Sequence, residues 1–186
     1  DLPPAPRYRD YGAWLQKQDP AADQAFWRAA LDGFGEPTPL PLDRGGAAVA
    51  EEHASTLLRL SADEHRRLAG WARENNVTLN TLVQGAWALT LARWSGERDV
   101  VFGITVAGRP AEVPGVEQAI GLFINTIPFR VRVPEEPSVG AWLAEVQRAQ
   151  AEVRQHEHVS LVDVQGWSAV PRGRPLFESS YVFENF

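Results

Sequence analysis

The stretch that most constrains the fold is IGLFINTIPFRVRV, residues 120–133. Its apolar, β-branched run predicts a strand, and side chains along a strand alternate between faces. One face takes Phe123, Asn125, Ile127, Phe129, Val131 and Val133; the other takes Leu122, Ile124, Thr126, Pro128, Arg130 and Arg132. The second half is amphipathic, with its two arginines outward. The first half is apolar on both faces except at Asn125 and Thr126. Leaving a buried amide unpaired costs about 1–3 kcal/mol, so Asn125 needs partners. One source is neighbouring backbone where Pro128 has removed a ladder donor. Gly121 is placed to allow a close backbone approach.

Helical and strand-like patterns alternate along the rest of the chain. Helices are expected over 8–18, from Pro20 through Leu31, after the Ser61 cap with Glu64 in capping-box position, and after the Thr78 cap up to Gly96. The helix after Thr78 is apolar on most of its surface, along Leu79, Leu82, Val83, Ala86, Trp87, Thr90, Leu91 and Trp94, and is expected to be buried. A long amphipathic helix is expected over 138–158, capped by Ser138, and a short one at SLVDVQGWS. Strands are expected at 51–60, 99–108 and 176–186, and loops at 32–46, 109–119 and PRGRP. Helices and strands are mixed throughout, so the class is α/β or α+β.

Composition narrows the function. The net charge of −6 argues against a nucleic-acid partner, which needs a basic footprint. No apolar run approaches the ~20 residues of a membrane span. The chain has no cysteine, so disulfides, thiol catalysis and cysteine–metal sites are excluded. It also lacks methionine, opens on the proline-rich DLPPAP and stops just after a strand-like run. An internal segment of a longer protein is therefore expected. No phosphate-binding loop or nucleophile elbow occurs. His156 and His158, two apart at a helix end, point in different directions on a helix. Their ordinary reading is a favourable charge at a helix C-terminus, and no metal site is expected. No complete catalytic set emerges.

Four segments, in order, resemble the condensation domain of nonribosomal peptide synthetases. They are YRDYGAW (8–14) followed by FWRAAL (26–31); GITVAGRP (103–110); IGLFINTIPFRV (120–131); and HEHVSLVDVQGWS with RGRPLFESSYVFEN. The resemblance spans nearly the whole chain. It implies a chloramphenicol-acetyltransferase-like fold of two lobes with a tunnel between them. Two carrier proteins present phosphopantetheine arms to that tunnel, and an amide forms between a donor thioester and an acceptor amine. The family's H-H-x-x-x-D-G signature is absent, because none of the four histidines are adjacent.

The resemblance therefore implies a C-terminal lobe, incomplete at both ends, with residues 1–7 as linker or crossover from a missing N-terminal lobe. It implies no catalytic residue in this chain, no directly bound cofactor and no activity for the fragment alone. Implied partners are the missing lobe, donor and acceptor carriers and a neighbouring adenylation domain, in a cytoplasmic megasynthase. Arg109 resembles the family's salt-bridge partner for the aspartate of the histidine motif; its plainer reading is a surface arginine in a turn. Gly121, Phe123, Asn125 and Thr126 become candidates for lining the tunnel. Trp167, Arg172 and Arg174 are candidates for a carrier-docking surface, or else belong to a solvated turn. Alternatives on the same fold are an epimerisation domain, a non-catalytic platform that docks carriers or recruits enzymes, and a free-standing acyltransferase using coenzyme A.

Overall fold

The computed structural model describes residues 6–40, 53–135 and 138–184. In chain order the elements are α1 (Tyr8–Leu15), α2 (Pro20–Ala30), α3 (Ala62–Glu74), α4 (Leu79–Ser95), β1 (Asp99–Val106), a 3-10 turn (Val116–Gln118), β2 (Asn125–Arg132), α5 (Val139–Arg154), α6 (Leu161–Trp167) and β3 (Ser180–Tyr181). The sheet is mixed, in the order β2-β1-β3. β1 and β3 run parallel, with Gly103 opposite Ser180. The end of β2 meets the start of β1 through the Val133 N–H and the Arg98 carbonyl, 2.7 Å apart, an antiparallel placement. The chain divides into two compact units, within β1 after Val100 and within β2 after Arg130.

The first unit takes residues 6–37, 101–130 and 150–184. Its core is built on Phe102, Ile127 and Phe129, all fully buried, with the Phe102 and Phe129 rings edge to face at 5.7 Å. Gly103 permits close packing, since a Cβ there would overlap the Phe177 ring. α2 starts where Asp19 accepts the N–H groups of Ala21 and Ala22, with Pro20 in the first turn. It buries Asp23 and Trp27, four residues apart on one face, and packs on α6. α6 starts where Ser160 accepts the Asp163 N–H, and it buries Val164.

The second unit takes 38–40, 53–100, 131–135 and 138–149. Ser61 and Glu64 form the expected capping box, and the Ser61 hydrogen bonds hold the Glu64 carboxyl below its usual range. Thr78 caps α4, and Gly96 ends it at φ 77°. Gln147 of α5 secures the α3–α4 corner. Its carbonyl oxygen accepts from the Thr78 N–H (2.8 Å) and the Thr81 hydroxyl (3.2 Å), and its amide donates to the Asn76 carbonyl (3.0 Å).

Several expectations are corrected. α4 does not bury its bulkiest stripe: Val83, Ala86 and Trp94 are exposed, and the buried face is Thr81, Gln84, Gly85, Ala88 and Leu91. The reason lies at Gly85, where a Cβ would overlap Leu143 and crowd Trp142 of α5; small residues let the two helices approach. Residues 53–60 form no strand, and Leu57, Leu58 and Leu60 are all exposed; 51–52 lie outside the described residues. β1 stops at Val106 because Gly108 turns to φ 60°. β2 begins only at Asn125, and β3 covers only two residues; 185–186 lie outside the described residues. α1 ends at Leu15, and α5 ends at Arg154, four residues earlier than its pattern. The loop reading holds for 32–40, and 41–46 fall outside the described residues.

Replacing Gly85 by valine should destabilise the intact domain by about 1–3 kcal/mol in urea unfolding. Ala86→Leu, one position on at an exposed site, should change stability by less than about 0.5 kcal/mol.

Candidate functional site

Asn125, the first residue of β2, has its carboxamide fully engaged. Nδ2 donates to the carbonyls of Glu157 and Val159, each at 2.8 Å, and Oδ1 accepts the Thr126 N–H at 2.9 Å. Two of its three partners lie in the turn after α5, and the third is the neighbouring β2 backbone N–H of Thr126. In that turn the hydrogen bonds tighten to three-residue spacing: Gln155 to Glu152, His156 to Val153 and Glu157 to Arg154. Because the helix has already ended, His156 and His158 do not diverge. Both close on Asp23, with Nδ1 of His156 2.6 Å from Oδ1 and Nε2 of His158 2.9 Å from Oδ2. Asp23 is buried. The His156 ring stacks on Phe26 at 4.0 Å, and the His158 ring stands edge-on to Trp14 at 5.4 Å. One nitrogen of each ring is directed at the carboxylate, and no group of three such side chains is arranged to hold a metal ion among the described residues.

Spacing alone could not have found this bridge. The available signal was Asp23, an acid four residues before Trp27 on the apolar side of α2.

Arg109 follows Gly108, where a Cβ would overlap the Phe123 carbonyl. Its Nη1 donates to the carbonyls of Val116 and Ala119, and its guanidinium lies 4.3 Å from the Phe123 ring centre. Phe123 packs edge-on against Tyr8 (5.1 Å) and Tyr11 (5.0 Å). Tyr11, Val113, Val116, Ala119 and Phe123 close a small buried cluster. A Cβ at Gly121 would enter the Tyr8 ring, whose hydroxyl donates to the Leu122 carbonyl at 2.8 Å. Phe123 therefore points inward and Asn125 is tied to the turn, while Ile120, Leu122 and Ile124 are exposed. Thr126 is half-buried beside Asn125. Trp167 is half-buried at the end of α6; Arg172 and Arg174 are exposed, and Arg174 lies 3.5 Å from Glu36.

A cleft lined by Trp14, Gly108, Glu112, Arg154, Glu157 and His158 opens beside the turn. Burial pushes the Glu157 carboxyl above its usual range, against the pull of Arg154, the Gly108 N–H and His158. Burial also raises the Tyr11 phenol, with smaller contributions from Tyr8 and Glu157.

The raised Glu157 value means that folding favours the protonated acid. Its stabilising effect is full below the ordinary carboxylate pKa and is lost as pH rises through the folded value. Glu157→Gln keeps the neutral form at every pH. Its unfolding free energy relative to wild type should rise as pH climbs from the ordinary carboxylate range through the raised folded value. A difference that stays flat across that range would contradict the assignment.

The match to known proteins covers the chain from end to end. The family model of the condensation domain matches residues 1–186. The chain is 50% identical over 181 residues to chondramide synthase cmdD of Chondromyces crocatus, covering 97% of this chain and 5% of that protein. It is 51% identical over 187 residues to a linear gramicidin synthase of Brevibacillus parabrevis, covering 99% and 4%. It therefore spans only a small part of these relatives. Among solved structures, it superposes on the X-domain from teicoplanin biosynthesis with a TM-score of 0.77 and 31% identity, over 97% of this chain and 42% of that one. On the first condensation domain of the CDA synthetase the TM-score is 0.72 at 23% identity, over 94% and 37%. With its mixed sheet, its helices and this end-to-end match, the chain belongs to the condensation domain family of nonribosomal peptide synthetases.

Proposed function

We propose that this chain is the C-terminal lobe of a domain that joins a donor acyl or peptidyl thioester to an acceptor aminoacyl amine. Both substrates are tethered by phosphopantetheine arms to carrier proteins. The acceptor nitrogen attacks the thioester carbonyl, a C–N bond forms, the C–S bond breaks and the donor carrier leaves as its thiol. The observation that carries this reading is the condensation-family match across all 186 residues, at about half identity to two peptide synthases. The family resemblance implies that the base belongs to an H-H-x-x-x-D-G signature, which this chain lacks, so in this reading the base comes from outside the chain; two of the four histidines are committed to Asp23. The isolated chain is inactive in this account.

Arg109 acts at the lobe junction. Nη1 fixes the 116–123 loop, and the rest of the planar guanidinium is available for a carboxylate of the missing lobe, the aspartate of the histidine motif. Asn125 and Thr126 contribute by holding the turn and strand beside the tunnel, and Gly121 and Phe123 by shaping the loop that borders it. Arg172 and Arg174 offer an exposed basic turn for an acidic carrier, with the half-buried Trp167 at the end of α6 nearby in the chain.

A second reading has its own support: the X-domain from teicoplanin biosynthesis is also solved in complex with OxyB, at 30% identity to this chain. A platform that recruits another enzyme would keep this fold and need no catalysis.

The intact parent domain, supplied with loaded donor and acceptor carriers, should release an amide product detectable by mass spectrometry. Arg109→Ala should lower that rate by roughly 10- to 100-fold, as expected when one partner of a buried ion pair is removed. No product from the unsubstituted domain would overturn the condensation reading and favour the platform.

A further inference from the structure

Residues 120–124 present a row of aliphatic side chains to solvent. Ile120 is 86% exposed, Leu122 79% and Ile124 65%. Isolated exposed aliphatics are ordinary, but a contiguous row marks an interaction surface. The row is held in place from below. Arg109 grips the Val116 and Ala119 carbonyls, Tyr8 donates to the Leu122 carbonyl, and Phe123 is buried against Tyr8 and Tyr11. Gly108 and Gly121 allow the backbone to lie against Phe123 and Tyr8 with no room for a Cβ. So many constraints display the aliphatics in one arrangement, which suits a preformed docking face.

We infer that Ile120, Leu122 and Ile124 form a docking face covered by an apolar surface of the remaining part of the condensation domain. This rests on the reading of the chain as one lobe. The occupant follows from length: solved relatives match 94–97% of this chain, yet the chain spans only 37–42% of them. In those relatives about six-tenths of the chain lies outside the matched part, on the same polypeptide. A tethered substrate visits only transiently and would leave the row bare for much of the cycle. The inference also changes which side chains meet the lobe junction. It assigns that contact to the even positions 120, 122 and 124, with Phe123 and Asn125 acting as the inward anchors.

The test uses the intact parent domain with cysteine introduced at Leu122, and in a second variant at the exposed Lys17 of the turn after α1. Maleimide labelling is followed at each site by peptide mass mapping. Leu122→Cys should label at least roughly tenfold slower than Lys17→Cys in the native domain, and equally fast in denaturant. Equal native rates would overturn the inference. So would protection that disappears on dilution, because a second copy would then be the cover. If Leu122→Cys does not fold, hydroxyl-radical footprinting of the unsubstituted domain reads the same surface. Oxidation of 120–124 should be strongly suppressed relative to the unfolded chain, and oxidation at the unfolded rate would overturn the inference. Amide formation enters neither readout, so an inactive domain with a protected row contradicts the proposed reaction and leaves this surface intact.

Discussion

The carboxamide of Asn125 is the interaction on which the first unit depends. Two hydrogen bonds to the Glu157 and Val159 carbonyls fix the turn after α5, and that turn delivers two imidazoles to one buried carboxylate. Asp23 would be costly to bury alone, since an ionised group removed from water must be paired and hydrogen-bonded. The bridge ties the turn to α2, and Asn125 ties the same turn to the start of β2. Three segments far apart in sequence thus share one polar network, in which each connection supports the next.

A second anchor lies close by in the chain. Arg109 holds the 116–123 loop through backbone carbonyls and through the Phe123 ring. Together the two anchors set the parity of residues 120–125, and so decide which side chains are available to anything beyond this chain. By the family resemblance, Asn125 is a candidate for lining the tunnel. Its three hydrogen bonds make it a positioning residue, and the apolar row beside it is the exposed feature. In the proposed reading, the chain serves chiefly as a wall beside the chemistry, with the base supplied from elsewhere.

Much of the architecture is legible where a local signal decides the outcome. Ser61 with Glu64, Thr78 and Gly96 mark helix ends correctly, because capping is a short-range matter of one side chain and the nearest free backbone groups. The end of α5 is not legible. Residues 150–158 contain no glycine or proline, and the capture of the 157 and 159 carbonyls by Asn125, more than 30 residues away, is a tertiary event. The histidine bridge is hidden for the same reason. The buried face of α4 escapes the pattern because packing there favours small residues around Gly85 over the bulky stripe. The strand pattern at 120–124 is real as an alternation, but Tyr8, Gly121 and Arg109 hold that segment outside the sheet.

The most direct measurement is a double-mutant cycle on unfolding free energy in the intact domain, pairing Asn125→Ala with Asp23→Ala. No hydrogen bond joins these two side chains; they communicate only through the 156–159 turn. The account predicts a coupling of at least about 0.5 kcal/mol. Losses that add within about 0.3 kcal/mol would show that Asn125 does not hold the histidine bridge in place.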